Sequence, residues 1–330
     1  MSGDARPLGT KKLLAMSDIG ILSIHTYVPE AKLDAMELSS RFGLNENFIR
    51  DKTGFKTLSR RTSGEDTSHL AERAVRAALS MHAGLANKLG LLVVVTQTPD
   101  GYGLPQVSAI VHGRLGLPES VAAFDISLGC SGWVYGLSVA KSFMEGNDLA
   151  YGILVTADPY SKIIDPKDRN TLLLFGDAAT ATVLCRNPTW RIGRFVFGTA
   201  GKHWDDIMVR ADGKLAMNGR AIFNFSARRV PDCVRSALAA NGLELDSVGY
   251  VILHQASRYI VDAVAARLGA SDQTKFTAAD TGNTVSSSIP LAISALPQAK
   301  EKTMVVCGFG VGLSWAGCVL MPWSQKRSRR

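Results

Sequence analysis

The chain has 330 residues, 46% of them hydrophobic and 20% charged, which is typical of a globular protein with one large domain or two ordinary ones. The longest apolar stretches, such as 89–95, are the length of a strand, and residues 1–9 lack the apolar core of a secretory signal. These features exclude a membrane protein and predict a cytoplasmic one. The net charge is +8, and half of it belongs to a terminal run that we expect to be a solvated tail and no nucleic-acid site: Lys326, Arg327, Arg329 and Arg330.

The chain order of apolar runs and turn residues predicts an α/β protein, because strand-sized runs alternate with segments whose apolar residues recur every three to four positions. The predicted strands are 19–24, 89–96, 122–126, 152–156, 179–184, 194–199, 250–253, 303–307 and 317–321. The predicted helices are 68–82, 105–115, 131–144, 226–241 and 258–268, with a further apolar helix around 291–296.

The two halves of the chain repeat one order of segments. In the first half LGLLVVVTQTP leads to FDISLGCSGWVYG, LAYGILVTAD and GDAATATVLC; in the second VGYVILHQAS leads to FTAADTGNTVSSS, TMVVCGFGVG and GLSWAGCVLM. This echo predicts a duplicated α/β unit divided into residues 1–188 and 189–330. Cys130 then corresponds to Asn283 and Thr96 to His254, so we expect a site near the axis between the two copies.

The five cysteines are scattered, and none lies in a CxxC pair, which predicts neither a disulfide framework nor a metal site. Cys130 has a distinct setting in FDISLGCSGW at 124–133, where a strand ends, Gly129 permits a tight turn and a helix begins. A thiol at a helix N-terminus faces backbone N–H groups that favour the thiolate. A buried structural cysteine fits this segment equally well.

The second motif is VILHQAS at 251–257, which places His254 directly after an apolar strand, at the sheet edge where active sites of α/β proteins gather. Taken alone, the pattern favours a histidine hydrogen-bonded to the backbone. The third motif is DTGNTVSSSIP at 280–290, a loop of small and polar residues around Asn283. Asn283 taken alone fits a turn residue better than a donor into a cavity. Together, a thiolate, a neutral imidazole and an amide are suited to acyl chemistry on thioesters.

These three segments, in this order, resemble the β-ketoacyl-acyl carrier protein synthase III family of the thiolase superfamily. The resemblance runs through nearly the whole chain. It extends to IRDKTGF at 49–55, TQTPD at 96–100, FGDAA at 175–179, MNGR at 217–220 and GFGVGLSW at 308–315. It implies the duplicated thiolase-like fold, a five-layer αβαβα sandwich.

The resemblance also implies a reaction and its residues. Cys130 takes an acyl group from acyl-coenzyme A, and His254 and Asn283 promote loss of CO2 from a malonyl thioester, whose enolate attacks the acyl-cysteine. The backbone N–H groups of Cys130 and Val311 form the oxyanion hole; Val311 replaces a glycine, but only its backbone is needed. The substrate is acyl-CoA, with no further cofactor and no metal.

Binding residues follow from the same resemblance. The CoA site comprises Phe48, Lys52, Arg169, Gly219, Arg220 and Ser257. Phe309 and Leu104 bound the acyl pocket, Leu104 reaching across a homodimer into the partner's site. Asn224 and Tyr259 stand where a typical member carries basic residues for the acyl carrier protein, with Arg258 and Arg267 as substitutes, which favours a specialised pathway member.

Two alternatives remain at this stage. In the first, Cys130 passes its acyl group to an alcohol, amine or thiol without decarboxylation, with His254 as general base. In the second, the chain is a non-catalytic partner subunit, although such a subunit has no need of Cys130, His254 and Asn283 together. The acyl chain length, the acceptor and the pathway are not encoded in recognisable motifs.

Overall fold

The structure is a computed structural model that describes residues 19–323. The terminal segments discussed above, 1–9 and the basic run from 326 onward, lie outside the described residues. The strands are β1 (Gly20–Tyr27), β2 (Lys32–Asp34), β3 (Thr57–Ser59), β4 (Leu89–Val95), β5 (Ala122–Ile126), β6 (Tyr151–Ala157), β7 (Ala179–Cys185), β8 (Trp190–Thr199), β9 (Ile207–Val209), β10 (Leu215–Met217), β11 (Tyr250–Leu253), β12 (Met304–Gly310) and β13 (Ser314–Pro322). The helices are α1 (Ala35–Ser40), α2 (Glu46–Phe48), α3 (Thr67–Met81), α4 (Val107–Leu115), α5 (Gly132–Gly146), α6 (Arg169–Leu172), α7 (Gly219–Ala240), α8 (Arg258–Leu268) and α9 (Ser288–Ala295), and a π-helical turn covers Ile49–Thr53.

Strand pairing repeats between the two parts of the sheet. In the first part β4 runs parallel to β5 and β6, β6 is antiparallel to β7, and β7 is antiparallel to β1. In the second part β11 runs parallel to β12, β12 is antiparallel to β13, and β13 is antiparallel to β8. The parts join where Gly20 and Ile21 of β1 pair with Arg191 and Trp190 of β8. The division at residues 188 and 189 stays a prediction; it falls immediately before β8.

Helices cover both faces of each part, which gives the five-layer αβαβα sandwich expected from the sequence. Along β4, Leu91, Val93 and Val95 join the buried cluster that contains α5 and α9, whereas Leu92 and Val94 join the cluster that contains α3 and α4. This alternation follows from the two-residue period of a strand. In the second part, α7 and α8 pack on the outer face. Full burial of each aliphatic side chain contributes about 1.5–3 kcal/mol to folding.

Each predicted strand and helix overlaps an observed element, and α8 has the predicted bounds. The largest difference is at α7, which begins at Gly219, earlier than the predicted residue 226, because the Asn218 side chain caps it by accepting from Ala221 N at 3.2 Å. Helix α4 begins two residues late because Asp125 accepts from Val107 N and Ser108 N at 2.7 and 2.9 Å. In the described part of the chain no helix is long and apolar enough to cross a membrane.

Candidate active site

Cys130 lies in the turn between β5 and α5, buried with 7% of its surface exposed. The turn closes through Gly132 N, which donates to Gly129 O at 2.7 Å. A Cβ at Gly129 would lie 2.5 Å from Gln97 Oε1 and 2.8 Å from Val311 Cγ1, so only glycine fits there. The sequence motif therefore folds into the predicted strand–turn–helix elbow.

The glycine loop after β12 lies directly against Cys130. A Cβ at Gly310 would be 2.7 Å from Cys130 Sγ, so the glycine lets the loop approach the sulfur. The backbone N–H groups of Val311 and of Cys130 itself act on the sulfur and lower the pKa of the thiol. These are the two groups predicted to form the oxyanion hole.

Burial nevertheless outweighs those two N–H groups and raises the pKa of Cys130 to about 12, with a further increase from the charge of Asp158. The expectation that the helix N-terminus favours a resting thiolate is therefore wrong for this enclosed site. The Gly132 N–H at the start of α5 already donates to Gly129 O and does not serve the sulfur. Cys130 rests as a thiol.

His254 follows β11, as predicted, and is anchored on three sides. Its backbone N donates to Cys307 O at 2.9 Å, its Nδ1 lies 2.6 Å from Ser288 Oγ, and its ring meets the Phe309 ring edge-on with centroids 5.4 Å apart. Burial lowers the pKa of His254 to about 3, partly offset by the Val285 carbonyl. The imidazole is therefore neutral at physiological pH.

Asn283 is held by contacts from both halves of the chain. Its backbone N donates to Leu174 O at 2.8 Å, its Oδ1 accepts from Val285 N at 2.9 Å, and its Nδ2 lies 3.5 Å from Ala256 O. Val285 has φ of +52°, a backbone conformation that is costly for a β-branched residue. The hydrogen bond from Val285 N to Oδ1 closes the predicted turn, and the same bond fixes the orientation of the Asn283 amide.

Residues around β12 bring the three motifs together. Gly310 contacts Cys130, while Phe309, its neighbour in the strand, contacts His254. Val285, which holds the Asn283 amide, packs in the same buried cluster as Cys130. Cys130 and His254 are thereby linked through the end of β12, and Asn283 joins them through Val285.

A groove of about 570 Å³ lies beside this centre, lined by α7, α8 and the π-helical turn. It brings together all six residues predicted to bind CoA: Phe48, Lys52, Arg169, Gly219, Arg220 and Ser257. Ala256, whose carbonyl meets the Asn283 amide, lines its inner end. Tyr259 lies in the same groove, with Lys52 Nζ 4.0 Å from its ring centroid and Phe223 stacked against it at 5.0 Å.

The two predicted acyl-pocket residues lie apart. Phe309 is buried in the core with α7 and α8 and contacts the His254 ring. Leu104 is 91% exposed in the single chain, which excludes it from the core of the described fold. Cys130 itself packs in a buried cluster formed by Tyr160, Ile164, Phe175, Ile207, Leu215, Ile222, Val285 and Leu313.

Sequence reasoning missed the polar side chains that support the site. Asp158 is buried outside the three motifs, whereas Ser286 and Ser288 are buried within the third motif, where their supporting contacts were not predicted and where Ser288 contacts His254 directly. The available signal was the position of Asp158, a carboxylate immediately after an apolar strand, in the same kind of place as His254. Among residues 19–323, no group of three or more histidine, cysteine, aspartate or glutamate side chains is arranged to hold a metal ion.

Known proteins share both the sequence and this architecture. The sequence model for 3-oxoacyl-[acyl-carrier-protein (ACP)] synthase III matches residues 124–201, and its C-terminal counterpart matches residues 238–321. The β-ketoacyl-[acyl-carrier-protein] synthase III of Oceanobacillus iheyensis is 34% identical over 314 residues, covering 93% of this chain and all of the relative. The crystal structure of the Thermus thermophilus enzyme of the same name superposes with a TM-score of 0.85 at 31% identity, covering 92% of this chain and 99% of that one. The priming β-ketosynthase of the R1128 polyketide pathway superposes with a TM-score of 0.83 at 27% identity, covering 92% and 96%. The chain belongs to the β-ketoacyl-[acyl-carrier-protein] synthase III family of condensing, acyl-transferring enzymes.

Proposed function

We propose that this protein condenses an acyl group, carried on Cys130 from acyl-CoA, with a malonyl-acyl carrier protein and releases CO2. The observation that carries the proposal is the convergence of an enclosed thiol, a neutral imidazole and an amide from the two halves of the chain. A neutral His254 is the form suited to donating a hydrogen bond to a developing enolate. A condensing enzyme of this family would act in fatty-acid synthesis or in a related pathway that lengthens acyl groups.

The first half-reaction is acyl transfer to Cys130. The sulfur attacks the thioester carbonyl of acyl-CoA, the thiol proton passes to the departing CoA sulfur, and free CoA leaves. The carbonyl oxygen becomes an oxyanion in the transition state, and the N–H groups of Cys130 and Val311 are the donors for it. Because burial raises the pKa of the thiol, proton loss must accompany attack instead of preceding it.

The second half-reaction is decarboxylation and carbon–carbon bond formation. The malonyl carboxylate leaves as CO2, and the electron pair of the broken carbon–carbon bond forms an enolate that attacks the acyl-cysteine carbonyl. The Cys130 sulfur is expelled as a thiolate and takes up a proton from solvent to restore the thiol. Ser288 Oγ lies 2.6 Å from Nδ1 of His254, and a neutral ring that accepts from this hydroxyl carries its proton on Nε2, where it is a donor to the enolate oxygen. The Asn283 amide is the second donor.

The CoA site is assigned to the groove beside Ala256. Lys52 and Arg220 supply positive charge for phosphates, and Phe48 and Arg169 supply the two faces that enclose the adenine. The lining of the groove includes Ala256, whose carbonyl meets the Asn283 amide, so a pantetheine arm in the groove would point toward the catalytic residues. No other molecule is needed as a cofactor in this scheme.

The carrier protein is assigned to the outer side of α7. The N-terminal half of this helix has the CoA groove on one side and a cavity of about 460 Å³ on the other. Four basic side chains and one carboxylate line this second cavity: Lys202, His203, Arg228, Arg229 and Asp206. This arrangement suits an acidic partner. Arg258 is a poorer candidate, because its guanidinium lies 4.6 Å from the Phe276 ring centroid and lines a third cavity with Asp51 and Asp262.

A homodimer in the cytoplasm completes the proposal. β5 forms one edge of the nine-stranded sheet described within residues 19–323, and the loop before α4 exposes Tyr102 and Leu104. Pairing of the β5 edge with a second copy would satisfy its free backbone groups, and burial of Leu104 in the same interface would remove its exposed apolar surface. Leu104 would then reach the acyl pocket of the second copy.

The test follows each half-reaction on one sample. The purified protein is incubated with a panel of acyl-CoA species and examined by intact-protein mass spectrometry, then supplied with malonyl-acyl carrier protein labelled at the free carboxylate. One labelled CO2 released per β-keto product supports the proposal, with Cys130→Ala as the inactive control. Acyl transfer to an alcohol, amine or thiol without CO2 release would replace it with the non-decarboxylating alternative. No acyl adduct with any donor would leave the partner-subunit alternative.

A further inference from the structure

Three successive serines after Val285 fix the Asn283 loop at separate points. Ser286 Oγ donates to the Asp158 carboxylate, Ser287 Oγ lies 2.8 Å from Thr156 Oγ1, and Ser288 Oγ lies 2.6 Å from His254 Nδ1. The first two contacts cross from the second half of the chain to the end of β6 in the first half. The loop that carries Asn283 is therefore held in place by the half that carries Cys130.

Asp158 is the most constrained of these partners. It is fully buried, and its carboxylate accepts from Gln97 N at 2.7 Å, from Thr96 Oγ1 at 3.3 Å and from the Ser286 hydroxyl. The backbone N–H of Ser286 also bonds to it, and no ion pair to it is found among residues 19–323, so hydrogen bonds compensate its desolvation. A buried unpaired carboxylate is costly to retain, and a purely structural role does not require a charge.

The contact to Ser286 acts on the site through Val285. Val285 holds the Asn283 amide by donating to Oδ1 at 2.9 Å, and it does so in a left-handed conformation that a β-branched residue disfavours. Such a conformation persists only where neighbouring contacts enforce it, and Ser286 is the next residue in the chain. Removing the Ser286 contact frees the backbone that orients Asn283.

We propose that Asp158 is a positioning residue that anchors Ser286 across the seam and thereby sets the Asn283 amide for the enolate. The inference rests on the proposed function for the role of Asn283. Asp158 also faces Cys130 and Tyr160: its charge raises the pKa of both groups. One carboxylate therefore does two separable things: it orders the amide and it disfavours the thiolate.

The separation of these two effects supplies a test. Asp158→Asn removes the charge and places an amide NH2 opposite Ser286, whereas Ser286→Ala removes the hydroxyl contact of the anchor, keeps the Ser286 backbone contact to Asp158 and keeps the charge. Thr182→Val is the matched control, because it deletes a buried hydroxyl that accepts from Trp133 Nε1 at 3.0 Å, away from the loop. For each variant, malonyl-thioester decarboxylation and the pH profile of Cys130 alkylation by iodoacetamide are measured beside thermal unfolding.

We expect decarboxylation to fall roughly 10-fold or more in both Asp158→Asn and Ser286→Ala, since small displacements of a positioned group are costly. Alkylation of Cys130 should become faster at a given pH in Asp158→Asn and stay unchanged in Ser286→Ala. Local opening of the site would also expose Cys130 and accelerate its alkylation at every pH, whereas loss of the Asp158 charge shifts the midpoint of the alkylation profile to lower pH. Decarboxylation within twofold of the parent in Ser286→Ala would overturn the inference.

Failure of the proposed function is recognised separately. If the unmodified protein releases no CO2, the proposed function is wrong, and a crystal structure of Ser286→Ala then decides the inference. A displaced Asn283 amide would support the anchor, and an unmoved one would overturn it. Should Asp158→Asn fail to fold, Ser286→Ala still gives the decisive comparison.

Discussion

The two halves of the molecule share one strand order but place different chemistry at equivalent strand ends. β4 is followed by Thr96 and Gln97, and β11 is followed by His254 and Gln255. Gln97 Oε1 accepts from the Tyr160 hydroxyl at 3.0 Å, whereas Gln255 is bound by Thr277 N and Leu253 O, both at 2.8 Å. The equivalent glutamines are thus structural in both halves. The preceding residues differ, because Thr96 bonds to Asp158 whereas His254 is a candidate catalytic residue.

The second pair of strand ends differs more. β6 is followed by Asp158, a carboxylate with hydrogen bonds to both halves, and β12 ends in glycines that contact Cys130. The first half therefore supplies the nucleophile and a rigid polar support, and the second half supplies neutral donors and close backbone approach. A duplicated fold provides matching positions, but burial determines which side chains carry charge there.

The largest expected effect concerns the nucleophile. Cys130→Ala should abolish the acyl adduct and reduce condensation by ~10³-fold or more, because the covalent acyl intermediate requires the Cys130 sulfur. Cys130 is also expected to be alkylated before the other four cysteines, since it is 7% exposed and they are 3% exposed or less. Peptide mapping after limited iodoacetamide treatment checks this order, with Cys185→Ala as the matched control. First labelling at Cys307 or Cys318 would refute the assignment.

A smaller effect separates His254 from the thiol. His254→Ala should still take an acyl group from acyl-CoA, because the amides of Cys130 and Val311 remain, but should lose decarboxylation by ~10²-fold. Mass spectrometry follows the first step and CO2 release the second. If acylation falls as far as in Cys130→Ala, His254 is the base for the thiol and the division between the halves is wrong.

The pH dependence of stability tests the neutral state of His254. Its pKa falls from 6.5 to about 3 on folding, so the unfolded chain binds a proton first as the pH falls. The stability that it contributes is present above pH 6.5 and is lost progressively toward pH 3. Between pH 6.5 and 5 this amounts to about 2 kcal/mol of unfolding free energy.

His254→Asn removes that loss. The unfolding free energy measured with urea should therefore fall more between pH 6.5 and pH 5 in the parent than in the variant. Asp158 acts in the opposite direction. Burial raises its pKa from 3.8 to about 6, so its contribution is present below 3.8 and is lost as the pH rises through 6. It titrates in both proteins and cancels in the difference. Parallel pH curves would show that His254 ionises normally in the fold.

Local patterns were sufficient to predict most of the fold and the three motifs. Cys130, His254 and Asn283 each follow or precede a recognisable apolar run, and glycine spacing reveals where the backbone must approach closely. The six CoA residues came from resemblance, and they converge on one groove. Each of these signals is contained within a few neighbouring residues.

The missing parts depend on long-range contacts. Ser286 and Asp158 are 128 residues apart, and nothing in either segment indicates the other. The resting state of Cys130 was predicted in the wrong direction because helix position is local, whereas burial depends on the loop around Gly310 and Val311. Short strands such as β9 and β10 lack a periodic pattern long enough to detect.

The smallest expected effect on stability is at Leu104. Substitutions there test whether the two halves of one chain complete the acyl pocket or whether a second copy contributes to it. Leu104 is 91% exposed, so Leu104→Ala should change the unfolding free energy by less than ~0.5 kcal/mol, against ~2–5 kcal/mol for a packed core site. Its effect on specificity should be larger if it lines the acyl pocket of a second copy. Leu104→Ala should then admit longer acyl groups and Leu104→Trp only short ones, as read by adduct mass across a chain-length series.

Met81→Ala is the matched control, because Met81 is 71% exposed at the end of α3, and it should leave the profile unchanged. An exposed leucine forgoes about 1.5–3 kcal/mol of burial, which a partner surface can recover. Sedimentation of the active protein as a monomer, or an unchanged chain-length profile in both Leu104 variants, would show that the acyl pocket is completed within one chain. A shifted profile in a dimer would mean that a third region, from the partner, joins the two halves at Cys130.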